Sequence, residues 1–357
     1  MMKEDAVGGR RARKVRGRGR VAVLVWALSW LVIVGSIGGV VFGMVWADDP
    51  SDTSRVSGAL AWVALMGAVF RFHLGLGLLV MCAAAVLARA RMAAVVMGLM
   101  AVVLLGERGV MYSPWRGDTG VGRDLRVMSV NLLYGRGDPD RLMAQIEDED
   151  PDVVLIQEFT PDLEGRFAEM MGERYGYSVM RARTDAFGVA VFSRYGFVGE
   201  PEVWRGDHGG FVPIVECMLD VEGRKVGVWD VHVVPPTSIG WVIEQRSHIA
   251  AIAERVDARF ARGDLDGIVV GGDFNAVSGS NHVREIRASA GGLVEAHAVV
   301  GVGAGSTWAA RGKRSWFPGI RIDNVFVGGG LVPVRSVVGE GIGSDHYPVV
   351  VDVRFYE

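Results

Sequence analysis

The apolar positions of this chain are concentrated before residue 106, and the polar ones set a regular rhythm after it. Residues 21–46 contain no charged side chain. At about 1.5 Å per helical residue such a run exceeds a hydrocarbon core of roughly 30 Å. Trp46, at its end, suits an interfacial anchor. Residues 59–70 are apolar but short. Residues 74–88 and 92–106 are each near the lower length limit for a membrane span. Arg71 and His73 separate the first pair of segments, and Arg89 and Arg91 the second. The pattern predicts a helical hairpin of residues 74–88 and 92–106, lengthened by snorkelling ends. Residues 59–70 then lie at the interface or extend the second span. These segments show no polar face, which argues against buried helices of a soluble domain.

Residues 107–122 read as a linker holding Pro114 and several glycines. Beyond it, short β-rich runs alternate with helical stretches and end at Gly, Pro or Asp. Strands are expected at 125–131, 152–157, 188–193, 214–220, 226–233, 267–271, 324–327 and 348–354. Asp138 caps a helix on which Leu142 and Ile146 share a face. Ile249, Ile252, Val256 and Phe260 recur at helical spacing. Residues 123–357 therefore read as one sheet-rich α/β domain of ordinary size, with no internal repeat.

Composition sharpens this division. A chain of 357 residues that is 50% hydrophobic suits a membrane region at 21–106 followed by one large α/β domain. Residues 1–20 are Gly- and Arg-rich and read as a disordered basic tail. Basic side chains cluster between Arg10 and Arg20 without an acid among them, so the net charge of −3 conceals an uneven distribution. That cluster and the Arg89–Arg91 turn both belong on the cytoplasmic side. Three spans satisfy both and put everything after Gly106 outside the cell membrane; a fourth would reverse the side. A signal peptide cleaved near Val45-Trp46-Ala47 is the rival to a retained first helix. The apolar stretch is about twice the usual signal core, which favours retention. Of the two cysteines, Cys82 lies in an apolar run and Cys217 in a strand. A disulfide between them would join a membrane segment to a soluble core. Two thiols are too few for a thiolate metal site, so any metal is held by oxygen or histidine.

Polar residues stand where apolar strands end: Asn131, Glu158, Asp273 with Asn275, and Asp345 with His346. Loops after strand ends are where a rigid scaffold presents chemistry. Alone, Asn131 is a turn residue, Glu158 a helix cap and Asp273-Phe274-Asn275 an Asx turn. Together and in this order they point to a site. Ser129-Val130-Asn131, Leu155-Ile156-Gln157-Glu158, Gly271-Gly272-Asp273-Phe274-Asn275, Arg321-Ile322-Asp323-Asn324 and Gly343-Ser344-Asp345-His346-Tyr347-Pro348 resemble the endonuclease/exonuclease/phosphatase superfamily, DNase I-like. The likeness covers about residues 125–353 and looks closest to a bacterial branch with N-terminal transmembrane helices. That superfamily includes pancreatic-type DNases, abasic-site endonucleases, sphingomyelinases and inositol polyphosphate phosphatases. The resemblance implies a four-layer α/β sandwich, two mixed sheets with helices outside, here preceded by an all-α transmembrane region.

The same resemblance implies roles. Glu158 is the principal ligand of Mg²⁺, with Mn²⁺ as the alternative ion, helped by Asn131 and Asp345. Asp273 orients or deprotonates the attacking water. Asn275 donates to the developing oxyanion. His346 contacts the phosphate, held by Asp323, and His232 is a general acid or a second phosphate contact. Asp230 shares a face with His232 and either supports it or is a surface acid. Thr307-Trp308 resembles a family motif near the site, although a buried structural Trp is the simpler reading. Asn324 stands where related bacterial sequences often carry His. His208, His248, His282 and His297 match no motif.

The expected function is a membrane-anchored, divalent-metal-dependent phosphodiesterase, a nuclease before a lipid phosphodiesterase or phosphatase. A catalytically inactive binding module is the non-enzymatic alternative, disfavoured because Glu158, the GDFN segment and the SDH segment are all present. A channel or transporter is excluded by the small membrane part, whose ionisable residues lie at segment ends. Arg311, Lys313 and Arg314, interleaved with Trp308 and Trp316 and extended by Arg181, Arg183 and Arg194, form either a phosphate-tracking patch or a solvated loop. The expected partners are the membrane and a phosphodiester, nucleic acid or lipid headgroup; no protein partner is inferable.

Overall fold

Side-chain alternation along the strands decides how this chain layers. The computed structural model describes residues 54–111, 122–205, 212–308 and 319–356, with Ala27, Trp30 and Gly35. The basic tail, most of the apolar run 21–46 and Arg311, Lys313, Arg314 and Trp316 fall outside the described residues. The chain divides into two units, Met1–Trp46 with Met66–Val110, and Ala47–Leu65 with Met111–Glu357. Residues 47–65 therefore group with the α/β part, whereas the sequence pattern assigned them to the membrane region.

Helix α1 (Arg55–Val69) runs through the boundary between the units. The first unit's principal described elements are α2 (Arg71–Leu87) and α3 (Arg91–Met111). They pack through small side chains: Ala85, Ala93, Ala94 and Ala101 are buried with Leu78, Met97 and Leu104. Cys82 donates from Sγ to Ala94 O at 3.2 Å. Close approach through small residues is how helices associate where no hydrophobic drive separates them from solvent. Leu79, Val80, Leu87, Met92, Leu99 and Val103 face outward and exposed. Among the described residues no single helix is long and apolar enough to cross a membrane. α1 and α2 taken together are, but they bend by 67° at the break between them.

The second unit holds the twelve described strands in two six-stranded sheets. The first contains β1 (Leu125–Asn131), β2 (Val153–Gln157), β3 (Tyr177–Arg181), β4 (Val189–Ser193), β11 (Leu331–Val338) and β12 (Val349–Phe355), in the order β11-β12-β1-β2-β4-β3. The second contains β5 (Glu202–Trp204), β6 (Ile214–Val221), β7 (Arg224–His232), β8 (Gly267–Asp273), β9 (Val294–Glu295) and β10 (Asp323–Gly328), in the order β5-β6-β7-β8-β10-β9. Each sheet carries one parallel pair, β1 with β2 and β7 with β8, among antiparallel neighbours. Helices α4 (Pro139–Glu149) and α5 (Pro161–Gly172) cover the outer face of the first sheet with Leu142, Ile146, Leu163 and Phe167. Helices α6 (Ile239–Phe260) and α7 (Asn281–Ala288) cover the second with Ile249, Ile252, Val256, Val283 and Ile286. The result is the four-layer sandwich that the resemblance implies. Local signals are honoured within it: Asp138 caps α4 by accepting from Asp140 N and Arg141 N.

The two inner faces meet in a dry core. Leu125, Val127, Val153 and Leu155 of the first sheet pack against Val226, Val228, Val269 and Val325 of the second. Gly271 sits on β8 where a methyl group would meet Leu155 Cδ1 at 2.7 Å, so the glycine admits the opposite sheet's leucine. Followed along each strand, these inner columns turn polar at one end: Ser129 and Asn131, Gln157, Asp230 and His232, Asp273, Asp323. A period of two keeps them all on the inner face. Polar groups thus collect at one edge of the interface between the sheets.

Candidate active site

Four strand ends deliver the first ligating and titrating groups. The ladders place Asn131 beside Gln157, His232 beside Asp273, and Asp273 beside Asp323. Gly272 makes the second of these pairings close, with φ +143° and Val231 O only 1.8 Å from where a methyl would sit. The turns that follow are tight. Leu133, Tyr134, Glu158 and Asn275 all adopt positive φ, at 51°, 53°, 57° and 48°. Such backbone costs of order 1–3 kcal/mol per residue and persists where surrounding bonds over-determine it. Here they do. Leu133 N donates to Asn131 Oδ1 at 2.9 Å, Tyr134 N to Glu158 Oε2 at 2.7 Å and Asn275 N to Asp273 Oδ1 at 2.8 Å.

Asn131 ties the two sheets together. Its Nδ2 donates to Glu158 Oε1 and to Asp273 Oδ2, each at 3.0 Å. Its oxygen is taken by Leu133 N, so in this arrangement the amide anchors carboxylates. His232 Nε2 lies 3.6 Å from Asp273 Oδ2 and 3.9 Å from Glu158 Oε1. His346 Nδ1 donates to both oxygens of Asp323 at 3.0 and 2.9 Å, which leaves its Nε2 toward Asp273 Oδ2 at 3.8 Å and Asp345 Oδ1 at 3.9 Å. Asp323 is fixed in turn by Thr307, whose hydroxyl accepts from Ile322 N and Asp323 N at 3.1 Å. Asp345 Oδ2 accepts from Trp308 Nε1 at 3.0 Å, while its Oδ1 is buried without a hydrogen-bond partner among the described residues. Asn275 Nδ2 donates to Val233 O at 2.8 Å and to Asp273 Oδ2 at 3.3 Å.

Burial and mutual charge set the protonation states. Burial pushes Glu158 up. Burial, then the charge of Asp323, pushes Asp273 up to about 8. Burial alone would hold His346 down, but the charges of Asp323 and Asp273 outweigh it and lift the ring to about 10. His232 is lowered to about 3, by burial first and by the positive His346 second. Two histidines a few ångströms apart are thus pushed in opposite directions, one cationic and one neutral at pH 7. Crowded carboxylates with raised pKa values are a donor set that a hard divalent cation would relieve. Asp273, Asp323 and His346 bring ligand-type atoms within 4.8 Å of one another, but a cationic His346 has no lone pair to give a metal, which leaves the carboxylate oxygens as the donors. The unsatisfied oxygen of Asp345 is a further lone pair directed into the site.

A cavity of about 370 Å³ opens here. Glu158, His232, Asp273, Asn275, Asp345 and His346 line it. Asn131 and Asp323 stand behind as hydrogen-bond partners of Glu158, Asp273 and His346. The eight residues given catalytic or metal-binding roles from the sequence therefore fall in or directly behind one pocket. The matching family model spans residues 128–346, Endonuclease/Exonuclease/phosphatase family. The chain belongs to that family. It is accordingly one of a family of hydrolases acting on phosphate esters. No curated protein matches the chain. Among solved structures it is similar to an endonuclease/exonuclease/phosphatase from Beutenbergia cavernae at 25% identity and TM-score 0.53, covering 66% of this chain and 72% of that one. It is similar in fold to truncated Caenorhabditis elegans TDP2 at 17% identity and TM-score 0.53, covering 65% and 98%. It is also similar in fold to the human Nocturnin catalytic domain at 16% identity and TM-score 0.52, covering 66% and 96%. Scores this even across bacterial and animal proteins single out the fold and not one branch of the family.

Three sequence readings change in this Exo/endo/phosphatase site. Asp230 bonds Gln157 Nε2 at 2.6 Å, across the sheet interface, instead of supporting His232. Trp308 is a pocket residue that holds Asp345, and not a purely structural core tryptophan. Arg183 and Arg194 are engaged, by Asp185 at 2.7 Å and by Asp150 at 2.5 Å, so they do not extend a phosphate-tracking patch. Tyr134, Asp185, Phe187, Pro235, Thr237 and Trp241 also line the pocket and went unnoticed in the sequence. Only Pro235 carried a signal, its place three residues after His232.

Proposed function

We propose that this chain is a membrane-attached, divalent-metal-dependent phosphodiesterase whose substrate is a nucleic acid. The observation that carries the chemistry is the convergence of Glu158, His232, Asp273, Asn275, Asp345 and His346 on one cavity, with Asn131 and Asp323 behind them. Glu158 and Asp345 would hold the cation, Mg²⁺ or Mn²⁺, with Asn131 keeping Glu158 in place. When bound, the ion offsets charge on the phosphoryl oxygens and makes water a better nucleophile. Asp273, with a pKa of about 8, sits near the range in which a proton acceptor is most effective at neutral pH, and it takes the proton of the attacking water. His346, kept cationic by Asp323, presents Nε2–H to a phosphoryl oxygen. His232 is neutral, which suits a hydrogen-bond contact to phosphate better than a general acid. The 3.3 Å contact of Asn275 with Asp273 is its weaker one, and that N–H turns to the developing oxyanion.

The similarity in fold to Danio rerio TDP2, solved in complex with a single-strand DNA product, accords with a nucleic-acid substrate. A lipid phosphoester is the second reading, supported by the outward apolar side chains of α2 and α3. Those side chains, with the run 21–46, also support attachment to the cell membrane as a multi-pass region. The Arg10–Arg20 and Arg89–Arg91 clusters support an outer location for the catalytic part. The deciding assay is hydrolysis of bis-p-nitrophenyl phosphate by the full chain in detergent. We expect turnover with Mg²⁺ or Mn²⁺ that stops with EDTA and in Glu158→Ala and His346→Ala. A folded protein inert toward this ester, plasmid DNA, RNA and sphingomyelin would end the catalytic reading. Flotation with lipid vesicles, and protease access from one face only, test the attachment and its side.

A further inference from the structure

The pocket wall facing the histidines is built from the segment after β7 and the start of α6: Pro235, Thr237 and Trp241. Within that wall Thr237 N donates to Pro235 O at 2.8 Å and Trp241 N to Ser238 Oγ at 3.2 Å. Gln245 Nε2 donates to Val234 O at 2.9 Å and Asn275 Nδ2 donates to Val233 O at 2.8 Å, which fixes its base. Its tip is a half-buried Pro-Pro step with no N–H to offer, and exposure begins at Thr237.

The tip is held from elsewhere in the chain. Trp62 Nε1 donates to Pro236 O at 3.1 Å, across 174 positions of sequence. One turn earlier, Gly58 brings the α1 backbone so close to α6 that a methyl group there would meet Ile243 Cδ1 at 2.7 Å and Ile239 Cγ2 at 2.8 Å. Ser57 Oγ accepts from the buried Arg246 Nη1 at 3.0 Å. Ala61, Ala64 and Leu65 of the same helix are buried. Ser57, Gly58, Ala61 and Trp62 are spaced as neighbours on one helical face, and that face is the one engaged. All of these residues lie within the unit that contains the pocket, although they precede the family-matched region by more than sixty positions.

We propose that the first half of α1 is a positioning element of the active site: it clamps the Pro235–Trp241 wall through Trp62 and so sets how tightly the substrate's leaving side is gripped. This rests on the phosphodiesterase reading for its effect on substrate, but the clamp itself is testable without turnover. Residues 54–65 are then part of the catalytic body, and a protein cut at the family boundary lacks one support of its own pocket. The consequence is specific. Loosening the wall weakens binding of a group that lies against Trp241 and leaves the His346–Asp323 and Glu158 geometry alone, so KM moves and kcat does not.

The test uses the full chain in detergent with Trp62→Phe, which keeps an aromatic side chain and removes the donor, and with Gly58→Leu, which wedges α1 off Ile239 and Ile243. Trp62 is 38% exposed, so an aromatic replacement there leaves folding intact, checked by an unchanged melting transition. Hydrogen exchange is read on the amides of residues 237–241. KM and kcat are read on bis-p-nitrophenyl phosphate, and on methyl p-nitrophenyl phosphate, which lacks the second ring. We expect faster exchange of the wall in both variants. For the two-ring ester KM rises about threefold to tenfold, the worth of one hydrogen bond, with kcat within twofold and the methyl ester little affected. Unchanged exchange in both variants overturns the clamp, whatever the activity. A parallel fall in kcat and melting point overturns its role in positioning. Faster exchange in a wild-type background that hydrolyses nothing leaves the clamp standing and removes the phosphodiesterase reading instead.

Discussion

Asp323→Asn separates charge from shape at the centre of the site. The carboxylate holds His346 Nδ1 at 2.9 and 3.0 Å, and the amide that replaces it is nearly isosteric. The ring's elevation from an ordinary 6.5 to about 10 corresponds to about 5 kcal/mol of net preference for the imidazolium. Asp323 is the first of the attractive charges, with Asp273 and Asp345 behind it. One opposite charge at this range moves a titration by about 1–3 pH units. The variant's His346 should therefore titrate roughly between pH 7 and 9, and lose part of its charge under assay conditions. An electrostatic donor removed from a developing phosphoryl charge costs about 10²–10³ in kcat. The assay is histidine-selective NMR of EDTA-treated protein, paired with pH–rate curves. The wild-type ring should remain protonated past pH 9 and the variant's should not. A wild-type His346 that titrates near pH 6.5, or a variant whose titration is unmoved, would refute the argument that Asp323 acts through charge.

Three further outcomes follow from the geometry. Trp308→Phe removes the N–H that holds Asp345 at 3.0 Å and should cost about fivefold to tenfold in kcat at fixed metal while raising the metal concentration for half activity; equal metal titrations would contradict it. His248 and His282 are lowered to about 4 by burial, so both fold as neutral rings. Stability is therefore complete above about pH 6.5 and declines as pH falls toward 4, by about 2 kcal/mol per ring at pH 5; a urea midpoint flat from pH 7 to 5 would show that these rings charge within the fold. Leu155→Ala opens the dry interface opposite Gly271 and should cost about 2–5 kcal/mol with KM unchanged, measured by denaturation of the folded enzyme.

Much of this was legible from residue order because the chemistry sits at the ends of clean apolar strands. β1, β2, β4, β6, β7, β8, β10 and β12 all announce themselves by β-branched runs, and their terminal polar residues mark the pocket. β11 hides because Pro333 interrupts its alternation, and its register shifts between Pro333 and Arg335. β3 is an edge strand with an exposed, mixed face, and β9 has only two residues. The aromatic wall is illegible for another reason. Phe187 and Trp241 are brought together by packing between a strand entrance and a helix start, and no spacing in the sequence records that distance. The same holds for α1. Its apolar character reads as membrane, and only the seat it takes on Ile239 and Ile243 reveals its first half as part of the α/β unit.

The last strand is not at an edge. β12 lies between β11 and β1, paired through Val349–Val353 to β1 and through Val349–Phe355 to β11. Until Phe355 has been synthesised, β1 lacks its antiparallel neighbour and the first sheet is split into two pieces. A growing polypeptide therefore has no complete sandwich to collapse into before β12 has left the ribosome. A stop before Val349 would remove β12 and leave an open β1 edge, suited to aggregation and to disposal instead of catalysis.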